Sequence, residues 1–129
     1  MTTEENKALV RRYLDAINGN EKPPALVNQF VADSDEDLRQ HIAVAEAGFP
    51  RYAFPAEDMI AEGDKVVVRA TMRAVHLGEF FGVPATGKAV TMPLIIIYRI
   101  ADGKIVEHWL QMDALGLMQQ LGVIPAPAQ

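Results

Sequence analysis

The chain contains no cysteine. That excludes a disulfide framework, a thiol nucleophile and a zinc–thiolate centre, and leaves packing and hydrogen bonding to hold the fold. Basic charge is also scarce: 12 Lys and Arg residues face 17 Asp and Glu, the formal net charge is −5, and no basic run exceeds Arg11-Arg12. A nucleic-acid partner is therefore not expected. Long apolar runs are missing too. The longest, Leu94 to Tyr98, is far too short to span a bilayer. The opening Met-Thr-Thr-Glu-Glu-Asn-Lys is acidic where a secretion signal would be basic and then apolar, so a cytoplasmic protein with no membrane partner is expected. His41, His76 and His108 stand at no metal-binding spacing, so no metal site is expected. Neither a Gly-Lys-Ser/Thr phosphate loop nor a Gly-x-Ser-x-Gly elbow occurs, which argues against a P-loop enzyme and a serine hydrolase.

What is present suits one globular domain over residues 1–129. Half the residues are hydrophobic and 22% are charged, and a chain of this length buries about two-thirds of its unfolded surface. Residues 3–18 carry Val10, Tyr13, Leu14 and Ile17 at helical spacing, with Thr2 or Thr3 as cap, Glu4 and Glu5 in the first turn and Gly19 at the end. Pro23-Pro24 opens a short second helix with Leu26, Val27 and Phe30. A third is expected from Ser34, through a Ser-x-x-Asp capping box, with Leu38, Ile42, Ala45 and Phe49 on one face and Gly48 and Pro50 as its stop. Beyond Pro55 the period changes. Val66 to His76 alternates as a half-buried strand with His76 on its apolar side; a Gly- and Pro-containing loop leads to a strand over Val90 to Ile100, and Asp102-Gly103 turns the chain into Ile105 to Met112. Asp113 stands at the cap of a last helix, Ala114 to Leu121, before Gly122 and a Pro-Ala-Pro-Ala-Gln tail expected to fray.

Helices followed by a strand meander and a terminal helix predict an α+β domain with helices on one face of a curved antiparallel sheet. Leu94-Ile95-Ile96-Ile97 is apolar on both strand faces. Either a helix or a partner subunit must cover the second face, and a homodimer packed sheet to sheet is the favoured expectation.

The stretch His76-Leu77-Gly78-Glu79-Phe80-Phe81-Gly82-Val83-Pro84-Ala85-Thr86-Gly87, the run Asp102-Gly103-Lys104-Ile105-Val106-Glu107-His108-Trp109 with Asp113, and the ending Leu115-Gly116-Leu117-Met118-Gln119-Gln120-Leu121-Gly122 resemble the SnoaL-like polyketide cyclases, also called SnoaL-like ester cyclases. The resemblance implies an NTF2-like cone, in which a bent sheet closes around a deep pocket plugged by N-terminal helices. It also implies an intramolecular aldol closure of an aromatic polyketide ester without metal or organic cofactor. The position matched by Asp113 would be the general acid/base. Where many relatives carry a polar group near Ile96 this chain is apolar, so Ile96 and Met72 are expected as apolar contacts for a small apolar or aromatic carbonyl ligand.

Several residue readings stay open. Asp113 is either a base whose pKa is raised by burial or an ordinary helix cap. His76 is either a donor to a substrate carbonyl and partner of Asp113 or a satisfied rim histidine. Tyr13 could donate to an oxyanion or serve as core. Trp109, Gln111 and Asp113 share strand parity and are expected to line one pocket wall, with His108, Leu110 and Met112 facing away; core or interface roles are the alternative for Trp109 and Gln111. Glu107 is expected to pair with Arg99 across the hairpin. The competing functions are a ketosteroid-isomerase-like proton shuffle in the same cone and a non-catalytic module that holds an apolar ligand.

Overall fold

A computed structural model describes residues 2–125. Its elements are α1 (Thr3–Ile17), α2 (Pro24–Val27), α3 (Glu36–Gly48), β1 (Ala56–Glu62), β2 (Lys65–Val75), β3 (Ala89–Ala101), β4 (Lys104–Met112) and α4 (Ala114–Gln120). Residues 126–129 of the expected frayed tail lie outside the described part. Thr2 caps α1 through a complete capping box with Glu5. The cap of α3 falls one residue later than expected: Asp35 accepts from the Leu38 N–H at 3.1 Å, while the Ser34 hydroxyl donates to the Val106 carbonyl at 2.9 Å. Ser34 is thus a tie between the helix entry and β4.

The four strands form one antiparallel sheet in the order β1-β2-β3-β4. Irregularities between Ala56 and Asp58 and between Arg99 and Ile100 add local bend to its two outer pairs. One face is buried along the two central strands. Val66, Val68, Ala70 and Met72 of β2 and Met92, Leu94, Ile96 and Tyr98 of β3 pack there with Leu9, Val10, Tyr13, Leu14 and Ile17 of α1 and Leu38, Ile42 and Ala45 of α3. This is the α+β cone with its helices on the concave face.

The register decides which way β4 faces. Leu94 stands opposite Met112, Ile96 opposite Leu110 and Tyr98 opposite His108, and antiparallel partners share a face. Because Leu94, Ile96 and Tyr98 are buried, His108, Leu110 and Met112 turn inward. Trp109 and Gln111, opposite Ile97 and Ile95, lie on the open face. The expected parity holds, but the two sides are exchanged. Since Leu94 to Tyr98 is apolar at every position, alternation could not distinguish them.

Candidate active site

An apolar cavity of about 340 Å³ opens between α3 and α4, walled by Met72 and Met92 of the sheet, Phe80 and Phe81 of the β2–β3 loop, Met112 at the end of β4, and Leu117 and Met118 of α4. A narrower chamber of about 40 Å³ lies further in, lined by Tyr13, Tyr52, Ile96, Tyr98 and Leu110 among others. His41, Ala45, Met72, Met92 and Met112 border both spaces, so the chamber continues the cavity inward. Of the residues expected to meet a ligand, Tyr13, Met72 and Ile96 are brought together here.

The glycine-rich stretch builds the outer wall. Leu77 and Gly78 both donate their N–H to the Gly48 carbonyl at 3.1 Å, docking the loop on the end of α3. A Cβ on Gly78 would lie 2.0 Å from the Ala47 carbonyl oxygen, and one on Gly48 would lie 2.9 Å from the Phe80 Cβ. Only glycines allow so close an approach. It carries Phe80 into an edge-on contact with Phe49, centroids 4.9 Å apart, and leaves Phe81 at the mouth, 74% exposed and at φ 45°. His76 is fully buried on the expected apolar side, but it packs against Phe49 and does not border the cavity. Its Nδ1 accepts from the Thr86 N–H at 3.2 Å and lies 2.9 Å from the Thr86 hydroxyl, which assigns the ring proton to Nε2. That nitrogen is buried without a partner among the described residues. In this arrangement His76 anchors the loop's return.

Asp113 is exposed and caps α4, accepting from the Gly116 N–H at 2.9 Å. Together with Gln111 it borders a shallow depression on the open face rather than the apolar cavity. Asp113 and His76 therefore do not meet. Trp109, 44% exposed, stands on that same open face. The expected pair of Arg99 and Glu107 is present at 2.9 Å.

Sequence reasoning passed over the polar groups that the fold does place near the cavity. Asp37, Gln40 and His41 of α3 line its wall. His41 is open to solvent on one side, yet burial on the other lowers its pKa from the ordinary histidine value, and the nearby His108 lowers it further. Both effects favour the neutral ring. His108 in turn holds Asp35 through Nδ1 at 2.7 Å, while the other oxygen of Asp35 caps α3. One weak signal was legible: His41 follows Leu38 by three and precedes Ala45 by four, which sets it beside the apolar stripe of α3.

The profile of the SnoaL-like polyketide cyclases matches residues 7–121. The chain belongs to this family. Among relatives of the SnoaL-like chain is the aklanonic acid methyl ester cyclase DnrD of Streptomyces peucetius, 31% identical, with 88% of each chain covered. Among solved structures, AclR of Streptomyces galilaeus, described as a candidate hydroxylase, superposes with a TM-score of 0.86 at 27% identity, covering 99% of this chain and 87% of AclR. TsrD of Streptomyces laurentii gives 0.81 at 28% identity, with 96% and 99% covered. The fold is thus shared with these structures along nearly the whole chain.

Proposed function

We propose that this SnoaL-like protein closes a ring by an intramolecular aldol-type reaction on a polyketide-like ester in the apolar cavity, without metal or organic cofactor, with His41 as the proton-transfer group. The observation that carries the reading is the imidazole of His41, bordering both compartments of a largely apolar cavity, with burial lowering its pKa from the ordinary histidine value. A neutral histidine takes a proton from a C–H made acidic by flanking carbonyls. The resulting enolate carbon bonds to a second carbonyl carbon, that carbonyl's π electrons move to its oxygen, and the imidazolium returns the proton to the alkoxide. Atoms balance within one isomerisation. The apolar walls strengthen every polar contact made to the developing charge, and in this reading Tyr13, which lines the chamber, supplies such a contact.

His41 is favoured over Asp113 and His76 because it borders the cavity, whereas Asp113 is engaged by the Gly116 N–H and His76 packs behind Phe49. The open sheet face, which exposes Ile60 on β1, Ile95 on β3 and Trp109 on β4 at 65%, 48% and 44%, supports a homodimer packed through that face. A cytoplasmic location completes the reading.

Incubation with aklanonic acid methyl ester, followed by chromatography and mass spectrometry, tests the function. A ring-closed product of unchanged mass is expected. His41→Gln should lower kcat/KM by about 10² or more, Asp113→Asn should leave it within a few-fold, and the unmodified protein's kcat/KM should rise with pH through a pKa below the ordinary histidine value. Loss of activity in Asp113→Asn with retention in His41→Gln would refute the assignment. A product heavier by one oxygen would indicate hydroxylation, and binding without turnover would favour the ligand-holding alternative.

A further inference from the structure

An exposed phenyl ring stands where the backbone suits a small polar residue. Phe80 and Val83 exchange two main-chain hydrogen bonds: the Val83 N–H donates to the Phe80 carbonyl at 2.9 Å and the Phe80 N–H to the Val83 carbonyl at 3.0 Å. Between them Phe81 and Gly82 have φ of 45° and 79°. Positive φ at both central positions is the pattern of the type I′ turn, which favours Asn, Asp or Gly at the first of them. The turn from β3 to β4 follows that preference, with Asp102 and Gly103 at 52° and 73°. At the other turn the chain carries a phenylalanine, although its ring gains little from the fold. Phe81 is 74% exposed, and its aromatic contact is an edge-on one with Phe80, centroids 4.6 Å apart. A strained, exposed aromatic on a docked loop points to a role outside the folding of the chain.

Its position supplies that role. Phe81 borders the apolar cavity at its mouth, and Val44 of α3, 43% exposed, borders it as well, so the apolar lining continues out to solvent on two separate elements. The paired hydrogen bonds of the turn, and the anchoring of Leu77 and Gly78 on the Gly48 carbonyl, hold the ring at the opening before any ligand arrives. We infer that Phe81 is a ligand-binding residue whose ring packs on the outer part of a planar aromatic ligand seated in the cavity, by edge-to-face or offset contact. This rests on the cavity being the ligand site, as proposed above, and deepens it by assigning the contact made at the mouth. The strain of the turn is then the cost of presenting an apolar ring to an incoming ligand.

The planar aromatic ketone prodan, whose emission moves to the blue in apolar surroundings, serves as the probe. It should bind the unmodified protein, with nuclear Overhauser contacts to the Phe81 ring and to the methyl groups of Met92 and Met112. In Phe81→Asn its Kd should rise about tenfold, while the urea midpoint holds or rises by up to about 0.5 M because asparagine suits the turn. Phe81→Tyr keeps the ring and should bind within twofold of the unmodified protein. An unchanged Kd in Phe81→Asn would overturn the inference and leave the cavity reading standing, as would equal weakening in Phe81→Tyr. A weaker Kd in Phe81→Asn joined to a lower urea midpoint would also overturn it, since the ring would then be part of the wall. If prodan does not bind the unmodified protein, the cavity reading fails and the role of Phe81 fails with it.

Discussion

Replacing Gly78 by alanine attacks the contact that seats the cavity wall on α3. The new Cβ would stand 2.0 Å from the Ala47 carbonyl oxygen and 3.1 Å from its carbon, both main-chain atoms that cannot swing away as a side chain can. One escape is for the loop to retreat by about 1 Å. That breaks the two N–H bonds to the Gly48 carbonyl, at about 1 kcal/mol each, and adds about 1–3 kcal/mol of packing strain. The other escape is to undock the loop. The same two bonds are lost, and Phe80, 8% exposed in the docked state, gives up about 1.5–3 kcal/mol of burial. Both routes converge on about 3–5 kcal/mol, equivalent to a fall of about 2–3 M in urea midpoint if the slope is near 1.5 kcal/mol/M. Equilibrium urea unfolding followed by far-ultraviolet circular dichroism reads this directly. Gly82→Ala is the comparison: its φ of +79° makes alanine strained, but the Cβ meets nothing within 4 Å, so only about 1–2 kcal/mol is expected. A loss below about 1 kcal/mol at Gly78, with an unchanged slope, would refute the seating argument.

Lys22→Met should destabilise by about 2–3 kcal/mol in the same assay, because its buried ammonium bonds Asn20 O, Glu46 Oε1 and Tyr52 O at 2.8, 2.9 and 3.1 Å and its removal leaves those acceptors short of a donor; an unchanged midpoint would show the pair to be dispensable. Ile95→Glu, placed on the open sheet face opposite Gln111, should convert a dimer into a monomer in sedimentation analysis without altering the circular dichroism spectrum, and a monomeric unmodified protein at micromolar concentration would remove the dimer from the proposal.

The fold was legible wherever a period was unbroken. Val66 to Met72 alternates cleanly and is buried at every even position; the stripe Leu38, Ile42, Ala45, Phe49 is buried at all four. The cap of α3 was misplaced by one residue because Ser34 and Asp35 are both good caps, and only the nearby Val106 carbonyl, distant in sequence, draws the serine away. At β4 the failure was one of orientation. Lys104 to Met112 has polar or charged residues on both faces, and its partner β3 is apolar on both, so neither strand declares which side meets the helices. That ambiguity carried Trp109 and Gln111 into the expected pocket and left Leu110 and Met112 out of it. Tyr13, Met72 and Ile96 escaped the error because their elements each have one plainly apolar face or a register fixed by β2.

The orientation of β4 also links two histidines that stand 67 positions apart in sequence. Turning His108 inward sets it beneath α3, where Asp35 takes hold of Nδ1 and fixes the ring. From there any positive charge on His108 opposes a second one on His41, adding to the burial that already disfavours it. Since a base must be unprotonated to act, the pair does for His41 what an apolar pocket does for a carboxylate acid in reverse: it widens the pH range in which the group is ready to accept a proton. The carboxylate tied to this cavity is then the one at the start of α3, two residues from Asp37 on the wall, and its effect passes through an imidazole rather than through direct contact with a substrate. Asp113, at the start of α4, takes the equivalent structural place in its own helix without a histidine beside it. Two N-caps of the same residue type thus differ in chemical reach because only one has a titratable ring on the strand that faces it.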